Sequence, residues 1–171
     1  MKTIKILSFA LSILFALSIS ATAQSIIFAS LEGDKIDVEA QKGKVVVMAI
    51  GASWLPLSND QADTINKLAK RYEGQDVVLY FIATDSASEK SKNYASDDDI
   101  RKFVKRNKLN VTILRDSDGK ASVQRYKLDQ LPAFILLDKT GKPDGDAISG
   151  IDPLDEIDTA EILSKRIDKL L

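Results

Sequence analysis

Ser58 opens the polar run Ser58-Asn59-Asp60-Gln61, and its hydroxyl is a weak nucleophile unless a neighbouring base takes its proton. The chain contains no histidine and no cysteine. A Ser-His-Asp arrangement is therefore impossible, and a Ser–Lys dyad would need a desolvated lysine that no stretch singles out. Thiolate chemistry is absent for the same reason, and zinc or copper lose their usual ligands. What remains for acid–base work is a scatter of carboxylates and Lys44. The run from Ser58 to Gln61 fits the capping box S/T-x-x-E/Q, which predicts that Ser58 caps a helix, with Asp60 placed to favour its positive end.

Two acidic groups invite a calcium reading. Asp97-Asp98-Asp99 is better explained as the cap and negative first turn of a helix carrying Ile100. Asp116-Ser117-Asp118-Gly119 lacks the remaining spaced ligands and terminal glutamate of an EF-hand loop, which leaves a plain turn. Gly43-Lys44 is not a P-loop, since the residues upstream do not match in type or spacing, and no dinucleotide fingerprint follows any strand. No metal and no cofactor is expected.

The elements that must position these residues are legible as apolar runs. Val45 to Ile50, Val77 to Ala83 and Ala133 to Leu137 are continuous and β-prone, which predicts strands buried on both faces of a helix-covered sheet. Val111 to Leu114 is a shorter candidate, and Ala147 to Ser149 is expected to pair with the third run across the Lys139-Thr140-Gly141-Lys142 turn. Helical periodicity appears at Ala62, Ile65, Leu68, Ala69 and Tyr72, again over Asp97 to Asn107, and again at Ile157, Ala160, Leu163, Ile167 and Leu170. The order is β-α-β-α-β, a β-hairpin and a closing helix: a three-layer α/β/α sandwich with a mixed central sheet. Ser86 to Ser96 is polar and uneven and reads as a mobile surface loop.

Residues 1–23 have the layout of a signal peptide: Lys2 and Lys5, an apolar run from Ile6 to Ile19, and Ala21-Thr22-Ala23 as the cleavage pattern. Residues 24–171 then form one domain, held by packing without disulfides. The formal net charge of −1 is spread over interspersed charges of both signs, which favours neither nucleic acid nor an anionic membrane surface. The expected location is a periplasm or the outside of the cell, with no membrane attachment once the leader is removed.

Gly43-Lys44-Val45-Val46-Val47 followed by Ala52-Ser53-Trp54 resembles the lead-in to the active site of the thioredoxin superfamily. The resemblance is greatest to its exported TlpA/ResA branch of thiol–disulfide oxidoreductases. Gln130-Leu131-Pro132-Ala133, the run Phe134 to Leu137 and Asp138-Lys139-Thr140-Gly141 resemble that family's cis-proline loop, next strand and turn, and Gly150 its strand-ending glycine. The departure is at the chemistry. The family places C-x-x-C where this chain has Leu55-Pro56-Leu57-Ser58, and Gly51 replaces an aromatic that the branch often carries. The resemblance also puts the helix start inside that motif, which would set Ser58 in the first turn rather than at the cap.

The resemblance implies a thioredoxin-like domain without redox activity. Its former active-site groove would consist of Trp54, Leu55, Pro56, Leu57, Ser58, Leu131 and Pro132. In the family the residue before the cis-proline, here Leu131, pairs its backbone with an extended polypeptide, which needs no cysteine. The expectation is a non-covalent polypeptide-binding module rather than an enzyme. Two other readings stand beside it: an enzyme of unrelated chemistry on the same fold, and a structural or assembly block. Leucines folded inward at residues 55 and 57 would favour space-filling, whereas a contiguous apolar rim would favour a partner. A deep pocket lined by perturbed carboxylates would point to catalysis.

Overall fold

A computed structural model of the chain describes residues 25–149 and 158–171. The leader, Gly150 and Ile157 lie outside the described residues. Seven strands form one sheet: β1 (Ile27–Ser30), β2 (Lys35–Asp37), β3 (Val45–Gly51), β4 (Val77–Ala83), β5 (Thr112–Arg115), β6 (Ala133–Leu137) and β7 (Ile148–Ser149). Their spatial order is β2-β1-β5-β4-β3-β6-β7. The three central strands run parallel, while β6 lies antiparallel to β3 with Ile50 opposite Ala133, and β7 lies antiparallel to β6.

Both β3 and β6 are buried along their whole length, and this explains their unbroken apolar character. Val45, Val47 and Ala49 face one layer, packed with α1 (Leu57–Arg71), α2 (Asp97–Arg106) and α4 (Thr159–Leu170) through Ile65, Leu68, Phe103, Leu163 and Ile167. Val46, Met48 and Ile50 face the other, covered by Val38, by Leu128, and by Val123 and Tyr126 of the short α3 (Ser122–Tyr126). The sandwich is lopsided, with every long helix among the described residues on one face. Each fully buried Val, Ile, Leu or Phe contributes about 1.5–3 kcal/mol, so these two clusters hold the fold without a cross-link.

Two expectations need adjusting. The segment from Ser86 to Ser96 does lie at the surface, with residues 87–90 and 92–94 exposed, but it is tied down at both ends. Ser86 is buried and bridges to Tyr94, the amide of Ser86 donates to the Asn93 carbonyl at 2.9 Å, and Ala95 is buried beneath. The capping box also lies elsewhere. Ser96 and Asp99 form one at the start of α2, whereas α1 begins at Leu57 behind Pro56, with no side-chain cap. The predicted turn at Asp116 stands: its carboxylate accepts from the amides of Ala121 and Ser122 at 3.0 and 2.7 Å and so anchors the start of α3.

Candidate functional site

The parallel strands end together, and their C-terminal edge carries the segment of interest. In open α/β sheets this edge is where ligands are usually received. Gly51 closes β3, and Thr84 fastens it to β4: the Thr84 amide and hydroxyl both donate to the Gly51 carbonyl, at 2.8 and 2.9 Å. The chain then passes through Ala52, Ser53 and Trp54 into α1. Overlapping short turns carry it, with the Leu55 amide donating to the Ala52 carbonyl at 3.1 Å and the Ser58 amide to the Leu55 carbonyl at 3.0 Å. The Ser58 bond, with that of the Asn59 amide to the Pro56 carbonyl at 3.1 Å, occupies donors that a helix start leaves free, and no side chain caps this end.

Asp85, fully buried after β4, bolts this segment down. Its carboxylate accepts from the Ser53 amide at 3.0 and 3.1 Å and from the Ser53 hydroxyl at 2.6 Å. The sequence reading passed over Asp85. The signal available was its position, a carboxylate two residues past a strand buried to its end.

Ser58 does not face a substrate. It is wholly buried, and its hydroxyl oxygen accepts from the Ala52 amide at 3.2 Å, which makes it a packing and turn residue. Gln61 is equally buried and donates from Nε2 to the carbonyls of Ala133 and Ile50, at 2.8 and 3.3 Å. Gly51 leaves room for both. A Cβ at residue 51 would lie 2.3 Å from Gln61 Oε1 and 2.7 Å from Ser58 Oγ. The aromatic that the resemblance expects there cannot coexist with this packing.

The remaining site residues divide by exposure. Trp54 is 48% exposed and Pro56 is exposed, while Leu55, Leu57 and Leu131 are half-buried and Pro132 is buried. The Leu131–Pro132 peptide is cis. Because Ile50 and Ala133 are register partners, Pro132 and Leu131 leave β6 at the same sheet edge where Ala52 to Leu55 leave β3. The leucines are thus neither fully withdrawn nor fully displayed.

Concavities among the described residues are lined elsewhere: one of about 1150 Å³ lies at the opposite end of the sheet among Tyr72, Val77, Leu109 and Val111. Among the described residues the carboxyls held below their ordinary range are Asp99, by the Ser96 hydroxyl, Asp138, by the Thr140 hydroxyl, and Asp158, by Lys67. They sit in helix caps and a hairpin turn. Among the described residues no three carboxylates converge on a point that could hold a metal ion.

A parallel three-strand centre, an antiparallel strand entered through a cis-proline and a helix leaving the neighbouring strand define a thioredoxin-like protein. The chain belongs to the AhpC/TSA family, which it matches over residues 19–142. It falls in the TlpA/ResA-like branch of the thioredoxin superfamily. It is 26% identical over 126 residues to the thiol-disulfide oxidoreductase ResA of Bacillus thuringiensis subsp. konkukian, covering 74% of this chain and 67% of that protein. Among solved structures it is similar to a secreted Mycobacterium tuberculosis disulfide oxidoreductase homologous to DsbE. That likeness has a TM-score of 0.65 at 25% identity and covers 85% of this chain and 96% of the other. A thiol-disulfide oxidoreductase from Bacteroides fragilis shares the fold, with a TM-score of 0.66 at 21% identity, covering 87% and 98%. Their chemistry does not transfer, because this chain has no sulfur nucleophile.

Proposed function

We propose that this chain is an exported, redox-inactive thioredoxin-like protein that binds extended polypeptide without covalent chemistry at the Trp54–Leu55 and Leu131–Pro132 edge. The observation that carries the reading is the exposure of Trp54, 48%, beside exposed Pro56 and half-buried Leu55, Leu57 and Leu131, on a base fixed by Asp85, Thr84 and Gln61. Aromatic anchors flanked by apolar neighbours on a rigid frame are the usual carriers of contact energy. Export rests on the leader pattern in residues 1–23 and on the secreted relative above; among the described residues no helix is long and apolar enough to cross a membrane.

The test is calorimetric titration of the domain with a carboxymethylated, permanently unfolded polypeptide. The wild-type protein is expected to bind, and Leu131→Asp to weaken binding by about tenfold or more, since a charge placed in an apolar contact costs upwards of 1.4 kcal/mol. Equal affinity of the two proteins would refute the placement of the site.

A further inference from the structure

Gln61 joins three pieces of chain that the binding edge needs in register. It stands on α1, one turn past the Leu55–Ser58 segment, and its side chain is fully buried. Its Nε2 donates to the carbonyl of Ala133, the residue directly after Pro132, and to that of Ile50, the register partner of Ala133 on β3. Both partners are carbonyl oxygens, so only a side chain with two N–H donors serves both. Access depends on Gly51, because a Cβ there would fall 2.3 Å from Oε1 of the same amide. That Oε1 has no hydrogen-bond partner among the described residues.

We propose that Gln61 is the positioning residue of the binding edge. Its amide clips the strand behind Leu131–Pro132 to the end of β3 and to α1, and so fixes the spacing between Leu131 on one side and Trp54 and Leu55 on the other. The proposal rests on the reading that this edge receives polypeptide. It has a chemical signature. A glutamate at residue 61 can donate to a carbonyl only while protonated, so it would make the clip depend on pH, whereas the amide holds it at any pH.

Hydrogen–deuterium exchange on Gln61→Leu and Gln61→Glu, followed by titration with carboxymethylated polypeptide, tests this. In Gln61→Leu, exchange over residues 130–133 and 52–55 should rise about fivefold to tenfold, the equivalent of one hydrogen bond's net contribution, while Phe81 and Ile82 in β4 stay protected. Affinity for the polypeptide should fall by a similar factor. Gln61→Glu, with a single O–H for the two carbonyls, should keep only part of the protection at about pH 4 and lose that part as rising pH ionises the carboxyl, at a value that burial sets above the ordinary ~4.3. If Gln61→Leu does not fold, the two pH arms of Gln61→Glu carry the test alone. Unchanged exchange over residues 130–133 in the folded variants would overturn the proposal. Local loss of protection in the variants, with no polypeptide bound even by the wild-type protein, would leave the clip standing and refute the binding reading beneath it.

Discussion

The Ser53 hydroxyl donates to the buried carboxylate of Asp85 at 2.6 Å, and the Ser53 amide reaches the same group at 3.0 Å. One side chain on the loop after β4 thereby fixes the backbone that presents Trp54. Asp85→Ala leaves the Ser53 donors without their acceptor. It should destabilise the domain by about 1–3 kcal/mol, the cost of buried polar groups left unpaired. Urea unfolding followed by the single tryptophan, itself the neighbour of Ser53, measures this. A loss below experimental error would mean that Asp85 is not the bolt.

Gly51→Ala places a methyl 2.3 Å from Gln61 Oε1 and 2.7 Å from Ser58 Oγ, inside the range where something must move. Overpacking of this kind costs about 1–3 kcal/mol. Because the clash is with those side chains, Gly51→Ala combined with Gln61→Ala should cost less than the sum of the single changes. Strict additivity in thermal or urea unfolding would show that the two residues do not compete for one space.

Much of this was legible from residues alone, and the failures have physical causes. The runs at Val45, Val77 and Ala133 stand out because strands buried on both faces cannot alternate. By contrast β1 and β2 are short edge elements of mixed polarity, with burial alternating along Ile27–Ser30, and α3 has five residues. None of these reaches the length at which periodicity becomes readable. Ser58 matched a local capping pattern, yet tertiary bonds from Asp85 and the turns at Ala52 to Leu55 set the helix start. The pattern was real and the context overrode it. The half-burial of Leu55, Leu57 and Leu131 depends on packing from distant elements, which no local stretch encodes.

Acid should loosen the start of α2 before the sheet. The Ser96 hydroxyl, and then Lys102, hold Asp99 down to about 2 from its ordinary 3.8. A carboxyl depressed on folding contributes stability that is complete above its unfolded value and is lost as pH falls through the folded one. The window is therefore about pH 4 down to 2. Helical circular dichroism and urea midpoints should decline across it, and Asp99→Asn should flatten the decline. An identical profile in that variant would assign the acid sensitivity elsewhere.

Leu55→Cys with Ser58→Cys should form a disulfide. The two residues flank one turn at the start of α1, where the Ser58 amide bonds to the Leu55 carbonyl at 3.0 Å, a spacing compatible with ordinary disulfide geometry. The helix terminus should draw the residue-55 thiol below its ordinary ~8.5 and make it the faster to alkylate. Thiol titration after mild oxidation reads the outcome. Two thiols that stay reduced and alkylate alike would contradict the correspondence between Leu55–Ser58 and a C-x-x-C site.

Docking of polypeptide at the edge shared by Trp54 and Leu131 is the proposal on which the function rests. Its most direct test is amide and indole chemical-shift mapping of the isotopically labelled domain during titration with a carboxymethylated, unfolded polypeptide. The largest shifts are expected at residues 52–58 and 130–133, with the Trp54 indole among them. The cleft at the far end of the sheet, around Val77 and Val111, should stay unchanged. Shifts centred on that cleft, or none at saturating polypeptide, would contradict it.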